Sequence, residues 1–400
     1  MRRHAVRLGL LALCTALVAA ACAGVGVGLS FDIPLTQAPE AREAPGPVAR
    51  IVQSGAIDCF PQGTKGHDGS PGTCEVSAAA IVGDRVILAS DKPAPTADRS
   101  AVFSYPWEGT LPRETDPAKN AYFTAAPFLT AAKYEDMAVT PDGSYVFLAT
   151  GFDRVDPASP KLDAYNTLLF WPAGREKDAS VVGASERGGV TSSLDLRRTL
   201  SRLQKTDAFP DGLPYFKNEG LAAPPGDRLL FGVREAGKNY NEFTYMIRIV
   251  SVPYLIRDCH VILGDGAKIV YDMTGAELAR RAGLPELLGL SSLTYDKYHA
   301  RLYMLTTFEI SQTEPINGGY LWVMSMDALS SGGLPALVRT PDGAPLKFGH
   351  KPEAVTVING DSLLVVHDDD RVVGQPPTID PGKGPKRALH QSFYDIVRFE

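Results

Sequence analysis

The chain has 400 residues, with 46 acidic and 40 basic side chains, a formal net charge of −6 and 44% hydrophobic residues. This mild acidity and the lack of Lys/Arg runs argue against nucleic acid as a partner. Setting aside a leader, roughly 350 residues remain, enough for one large all-β domain or two ordinary ones.

Arg2, Arg3 and Arg7 precede an apolar run from Leu8 to Ala21, and Ala19-Ala20-Ala21-Cys22 supplies small residues for cleavage. Residues 1–22 therefore read as a secretory signal, too short for a membrane span of about 20 residues. Small residues before Cys22 also resemble the bacterial lipoprotein signal, in which that Cys is acylated. Ala19 stands where a large aliphatic residue is usual, so lipidation of Cys22 and simple secretion both stay open. Residues 23–49, including the Pro-, Ala- and Glu-rich stretch from Pro34 to Pro47, read as a linker. The expected destination is the periplasm, the cell envelope or the medium, with membrane contact only through a lipid anchor.

The chain has five cysteines. Cys14 and Cys22 belong to the leader. Cys59 and Cys74 flank a loop with Gly63, Gly66, Gly69, Pro71 and Gly72, and an oxidising compartment favours a disulfide closing it. The alternative is that all remain reduced. Cys259 is expected to be a free, buried thiol, and His67 to be exposed. No zinc-type Cys/His spacing is present.

From residue 50 to 400 a hairpin recurs. Glu75-Val-Ser-Ala-Ala leads through Gly83-Asp84 to Val86–Asp91. Glu135-Asp-Met-Ala-Val leads through Pro141-Asp-Gly143 to Tyr145–Asp153. Glu219-Gly-Leu-Ala-Ala leads through Pro225-Gly-Asp227 to Leu229–Glu235. Ser291-Ser-Leu-Thr-Tyr leads through Lys297 to Leu302–Glu309. Glu353-Ala-Val-Thr-Val leads through Asn359-Gly360 to Ser362–Asp368. Such turns tolerate the positive φ that tight hairpins need. A third apolar run follows each hairpin (Val102–Tyr105, Leu168–Trp171, Tyr245–Ile249, Tyr320–Val323, Tyr394–Val397), and Lys268–Tyr271 reads as a fourth strand. Four antiparallel strands per unit make a propeller blade. The last unit lacks a fourth strand, which Arg50–Gly55 can supply from the other end of the domain. The expected fold is all-β, a single five-bladed β-propeller closed by an N-terminal strand, with six blades left open. Helices are expected at Leu194–Leu203 and Thr274–Ala282 from their apolar spacing.

A hairpin returns to where it began, so the residues starting its first strand and ending its second share one end. Here these are acidic: Glu75 with Asp91, Glu135 with Asp153, Glu219 with Glu235, Glu353 with Asp368. The fourth unit departs, with Ser291 opposite Glu309. These groups are expected at one mouth of the central channel. Facing carboxylates raise one another's pKa unless cations intervene. Lys133, Lys217 and Lys351 stand two residues before a Glu, and Arg234 and His367 adjoin Glu235 and Asp368. Two readings follow. Lys-x-Glu forms salt bridges between blades, or the mouth binds an anionic ligand, with Lys133, Lys217, Arg234 and Lys351 as substrate contacts. In the second reading Glu75, Asp91, Glu135 and Asp368 hold a metal, Ca²⁺ being the natural choice for an oxygen-only set. Glu219, Glu353 or His367 then act as base. Within Asp368-Asp369-Asp370-Arg371, Asp370 reads more as a solvated strand end than Asp368. His350 and His367 flank the fifth hairpin.

Glu219-Gly-Leu-Ala with its Pro-Gly-Asp turn and Leu229-Leu-Phe strand, and Cys74-Glu-Val-Ser-Ala with Ile87-Leu-Ala-Ser-Asp91, resemble the phytase-like propellers, also called esterase-like phytases. The resemblance implies a propeller and a phosphoester or carboxylic ester hydrolase. The competing class is a non-catalytic binding or scaffold propeller of the cell envelope.

Overall fold

The computed structural model describes residues 46–400 except 67, 97–98, 310–316, 371, 380–381, 383 and 385. The signal segment with Cys14 and Cys22, the linker through residue 45, His67 and Arg371 lie outside the described residues. No helix among them is long and apolar enough to cross a membrane.

The described chain is a five-bladed β-propeller. Blade 1 pairs Val76–Val82, Arg85–Ser90, Val102–Pro106 and Ala121–Tyr122. Blade 2 pairs Tyr134–Val139, Tyr145–Thr150, Leu168–Pro172 and Ser180–Val181. Blade 3 pairs Tyr215–Ala222, Arg228–Asn239 and Glu242–Arg257, the last flanked by His260–Leu263 and Lys268–Thr274. Blade 4 pairs Gly289–Asp296, Arg301–Glu309 and Asn317–Ser325, the last flanked by two short strands. Blade 5 pairs Pro352–Asn359, Ser362–His367 and Gln391–Phe399, and is completed by Ala49–Asp58 from the other end of the domain. The first strand of each blade packs against the first strands of both neighbours, closing the ring. The span between blades 2 and 3 is not a sixth blade: it holds the hairpin Ser185–Arg187/Val190–Ser192 and the helix Leu194–Leu203. The second expected helix forms at Gly275–Ala282, with Thr274 capping the Glu277 amide.

The continuous apolar runs follow from this stacking. Successive side chains point to opposite faces, and both faces of a blade are covered. Val146 and Leu148 enter the layer shared with blade 1, whereas Phe147 and Ala149 enter the layer shared with blade 3. One apolar cluster fills each of the five junctions.

Cys59 and Cys74 form the expected disulfide, with Cα atoms 5.8 Å apart. Cys259 corrects the expectation of a buried thiol. It is free and exposed, because Asp258 and Cys259 both take positive φ at the tip of the Arg257/His260 hairpin.

Asp136 reaches from blade 2 to blades 3 and 4. Its carboxylate accepts from the amides of Leu221 in blade 3 (2.7 Å) and Leu293 in blade 4 (2.9 Å). The Ser292 hydroxyl contacts it at 3.2 Å and accepts from the Val355 amide of blade 5 at 3.1 Å. The two ends of the ring differ in character. The end at the hairpin turns holds a cavity of about 270 Å³ lined largely by Met137, Val139, Thr294, Tyr295, Thr356 and Ile358. The other is charged.

Candidate functional site at the charged mouth

The register explains how this mouth is built. Each first strand carries a bulge near its start. The skipped residues are Ser77, Glu135, Glu219, Ser291 and Glu353. A bulge re-aims one side chain out of the alternation. In blades 2, 3 and 5 that side chain is the Glu of Lys-x-Glu. Blade 1 corrects the sequence alignment. Its phrase is Glu75-Val-Ser77, so Ser77 occupies the Glu position and Glu75 occupies the Lys position. In blade 4 the phrase is Gly289-Leu-Ser291.

The lysines tie neighbouring blades. Lys133 Nζ lies 2.9 Å from Glu135 of its own blade and 3.8 Å from Asp91 of blade 1. Lys217 contacts Glu219 of its own blade and lies 3.4 Å from Glu135 of blade 2. Lys351 lies 2.8 Å from Glu353, 3.6 Å from Glu309 of blade 4 and 3.7 Å from Asp370. Blade 4 has no lysine at this position, and Arg234 of blade 3 fills the gap. Its guanidinium lies 3.1 Å from Glu219, 3.1 Å from Glu309 and 3.6 Å from Glu235, and it contacts Thr307. Gly289 makes the space: a Cβ there would stand 3.0 Å from Arg234 Cγ and 2.8 Å from Tyr245 Cδ1.

The remaining junction, between blades 5 and 1, has reversed sign. Glu75 stands where a lysine stands elsewhere, and it faces Asp368 and Asp370. Lys92, beyond the end of the second strand, supplies the local cation, contacting Glu75 and lying 2.8 Å from Asp91. Sequence reasoning passed over Lys92 and treated Asp370 as solvated. Its left-handed φ of 49° turns the chain at this point.

Burial shapes the acid–base properties. It pushes Glu219 up to about 7, outweighing the pull of Arg234 and Lys217. Glu353 is just as buried, but Lys351, Lys217 and Arg234 together bring it down to about 2. Glu135 is raised by desolvation despite Lys133 and Lys217. Burial also penalises the charge on Lys217, yet Glu135, Glu219, Glu235 and Glu353 hold it well above its ordinary value.

Three expected roles lose their geometry. His367 is fully buried, with Nε2 2.9 Å from Asp395 Oδ2 and its ring against Phe348 and His350. It faces the junction between blades 4 and 5 because neighbouring strand residues point oppositely, and it does not reach the mouth. Asp91 and Glu135 are engaged by lysines and stand outside the cluster of Glu75, Asp368 and Asp370. Asp153 is occupied by Arg154 at 2.9 Å. His350 lies beneath the acidic run, its Nδ1 2.6 Å from Asp369 Oδ2, while Asp369 Oδ1 accepts the Lys351 amide at 2.9 Å. This fixes the backbone between Asp368 and Asp370.

No family model and no curated protein matches the chain. Among solved structures, the chain is similar to a PQQ-bound aldose sugar dehydrogenase from Streptomyces coelicolor at 12% identity and TM-score 0.36, covering 89% of this chain and 99% of that one. An exo-β-1,3-galactanase from Clostridium thermocellum gives 11% and 0.40, covering 85% and 61%. A luciferin-regenerating enzyme gives 12% and 0.35, covering 81% and 79%. At these values they carry no argument about chemistry, and the propeller assignment rests on the strand pairing of this chain.

Proposed function

We propose that the charged mouth is the site of a hydrolase acting on a phosphoester or carboxylic ester, assisted by a divalent cation. The observation that carries this reading is a pair of buried carboxylates driven apart. Glu219 titrates near 7 and Glu353 near 2, and each lies in the field of Lys217 and Arg234. Two carboxyls with separated pKa values in one site are how proteins divide acid–base roles. Glu219 exchanges a proton at neutral pH and serves as base toward water. Glu353 stays ionised and holds Lys351 and Lys217 charged. Lys133, Lys217, Arg234 and Lys351 offer an anionic small molecule partners once it displaces a carboxylate. A bound cation would offset the acidic excess and neutralise substrate charge. The resemblance of Glu219-Gly-Leu-Ala to phytase-like propellers puts phosphoesters first among the substrates to try.

A second reading has its own observation. Lys133, Lys217, Arg234 and Lys351 each connect two blades, so the ring also suits a non-catalytic propeller that binds a cell-envelope component. A screen of phosphate esters, carboxylic esters and lactones separates the two. Turnover in the wild type, reduced by about 10²-fold or more in both Glu219→Gln and Glu353→Gln, supports the hydrolase. Turnover that neither change affects removes the site assignment, and no turnover on any class favours the binding protein.

A further inference from the structure

We infer that the junction between blades 5 and 1 is a Ca²⁺ site formed by Glu75, Asp368 and Asp370, with Lys92 as a tethered competitor for it. This deepens the hydrolase reading and rests on it for purpose, but cation binding is measurable without turnover.

The first argument is the break in the ring. At the other junctions a cationic side chain lies between the acids of adjoining blades. Here the side chain in the lysine position is Glu75, and the acids opposite are Asp368 and Asp370. The register places Asp368 beside Lys351, through its amide bond to the Lys351 carbonyl at 2.9 Å. Asp370 follows two residues later, its amide donating to Asp368 Oδ1 at 2.8 Å. Like charges brought together by the fold cost free energy unless a cation lies among them.

The second argument is an unmet oxygen. Glu75 is 1% exposed, and its Oε1 has no hydrogen-bond partner among the described residues. A buried carboxylate oxygen left without a partner opposes folding. Lys92 contacts the other oxygen, Oε2. Lys92 is itself shared with Asp91 and its side chain is 34% exposed, so it can withdraw to solvent.

The donor chemistry selects the ion. All three ligands are carboxylates, hard oxygen donors suited to Ca²⁺ or Mg²⁺ rather than to softer metals. One ligand oxygen from each residue can be chosen so that all lie within 4.8 Å of one another. Ca²⁺ accepts irregular oxygen geometry, whereas Mg²⁺ demands a near-ideal octahedron and keeps several of its waters, so an uneven set of three carboxylates favours Ca²⁺. Ca²⁺ takes six to eight oxygens, so three side chains leave coordination positions open toward the mouth. The side chain of Asp370 is half exposed, which gives the ion an entry side.

The test is calorimetric titration of chelator-stripped protein with CaCl₂ and MgCl₂, alongside the thermal unfolding midpoint. Wild type is expected to bind one Ca²⁺, at least about tenfold tighter than Mg²⁺, with a raised midpoint. Glu75→Lys recreates the tie seen at the other junctions, so it should fold with an unreduced midpoint and lose binding. Asp370→Asn retains a residue that tolerates the left-handed backbone and should weaken binding about tenfold or more. Lys92→Gln removes the competitor and should tighten apparent affinity. Wild type that takes up no Ca²⁺ overturns the site, as does Glu75→Lys or Asp370→Asn binding as tightly as wild type. Ca²⁺ uptake without turnover removes the hydrolase alone, and turnover without Ca²⁺ uptake removes this site alone.

Discussion

Asp136 has a larger structural role than its place in the Glu135-Asp-Met phrase suggests. Two amides from different blades, the Met137 amide and one hydroxyl converge on its carboxyl. Burial without a neighbouring cation raises its pKa well above the carboxylate range, against the pull of those donors. At the same register position the other blades carry Ala78, Gly220, Ser292 and Ala354. Asp136→Ala would remove the buried acceptor of the Leu221 and Leu293 amides. The expected loss is about 3 kcal/mol or more, since each orphaned buried group costs about 1–3 kcal/mol, and urea unfolding measures it. A loss within about 0.5 kcal/mol, as for an ordinary surface change, would show that the Asp136 bonds do not hold the blades. Neither this role nor the register of Glu75 was legible in the sequence. Matching Glu75 to Glu135 by residue type aligned the wrong backbone positions, because nothing in Glu75-Val-Ser77 announces that Ser77 is the bulge. The lysines and glutamates of blades 2, 3 and 5 were legible because a Lys, a bulge Glu and a tight turn recur at one spacing.

At the scale of elements, the hairpins were readable because Asp-Gly and Asn-Gly turns separate apolar runs, and the runs are continuous because both blade faces are buried. The helix Leu194–Leu203 was readable from its apolar spacing, which buries Leu196 and Leu200. The hairpin Ser185–Arg187/Val190–Ser192 was not, since Glu186 and Arg187 give it no apolar face. The closing strand Ala49–Asp58 carries a further consequence. It pairs with Gln391–Phe399 and ends next to Cys59, while Cys74 precedes the first strand of blade 1. The disulfide therefore ties the closing strand to the neighbouring blade. The bridge spans 15 residues, and a loop of that length is worth about 3 kcal/mol through the unfolded state. Reduction, or Cys59→Ala with Cys74→Ala, should lower unfolding stability by about 2–4 kcal/mol, measured in urea with and without reductant. An unchanged midpoint would show that strand pairing alone closes the ring.

For the whole molecule, the charged mouth makes stability depend on pH in a direction that can be worked out. Glu219 has a folded pKa of about 7, above its ordinary value. Its contribution is fully present below about 4.5, the unfolded carboxylate range, and is lost as pH rises through 7. Glu353 lies at about 2, so its contribution is present above about 4.5 and is lost as pH falls through 2. The two together place maximal stability on the acid side of neutrality and give a descending flank between about 4.5 and 7. The groups facing Glu219 include Lys217 and Arg234, which favour its ionised form, and Glu135 and Glu353, which oppose it. Burial raises Glu135 and Asp368 as well, so Glu219→Gln should make that flank shallower without removing it. It should leave the acid flank, set by Glu353, in place. Urea midpoints from pH 3 to 8 on chelator-stripped wild type and Glu219→Gln measure both flanks. A variant with an unaltered slope between 4.5 and 7 would mean that Glu219 is not held near neutrality. It would then be an ordinary ionised member of the interblade ring, and the mouth would lose its base while keeping its salt bridges.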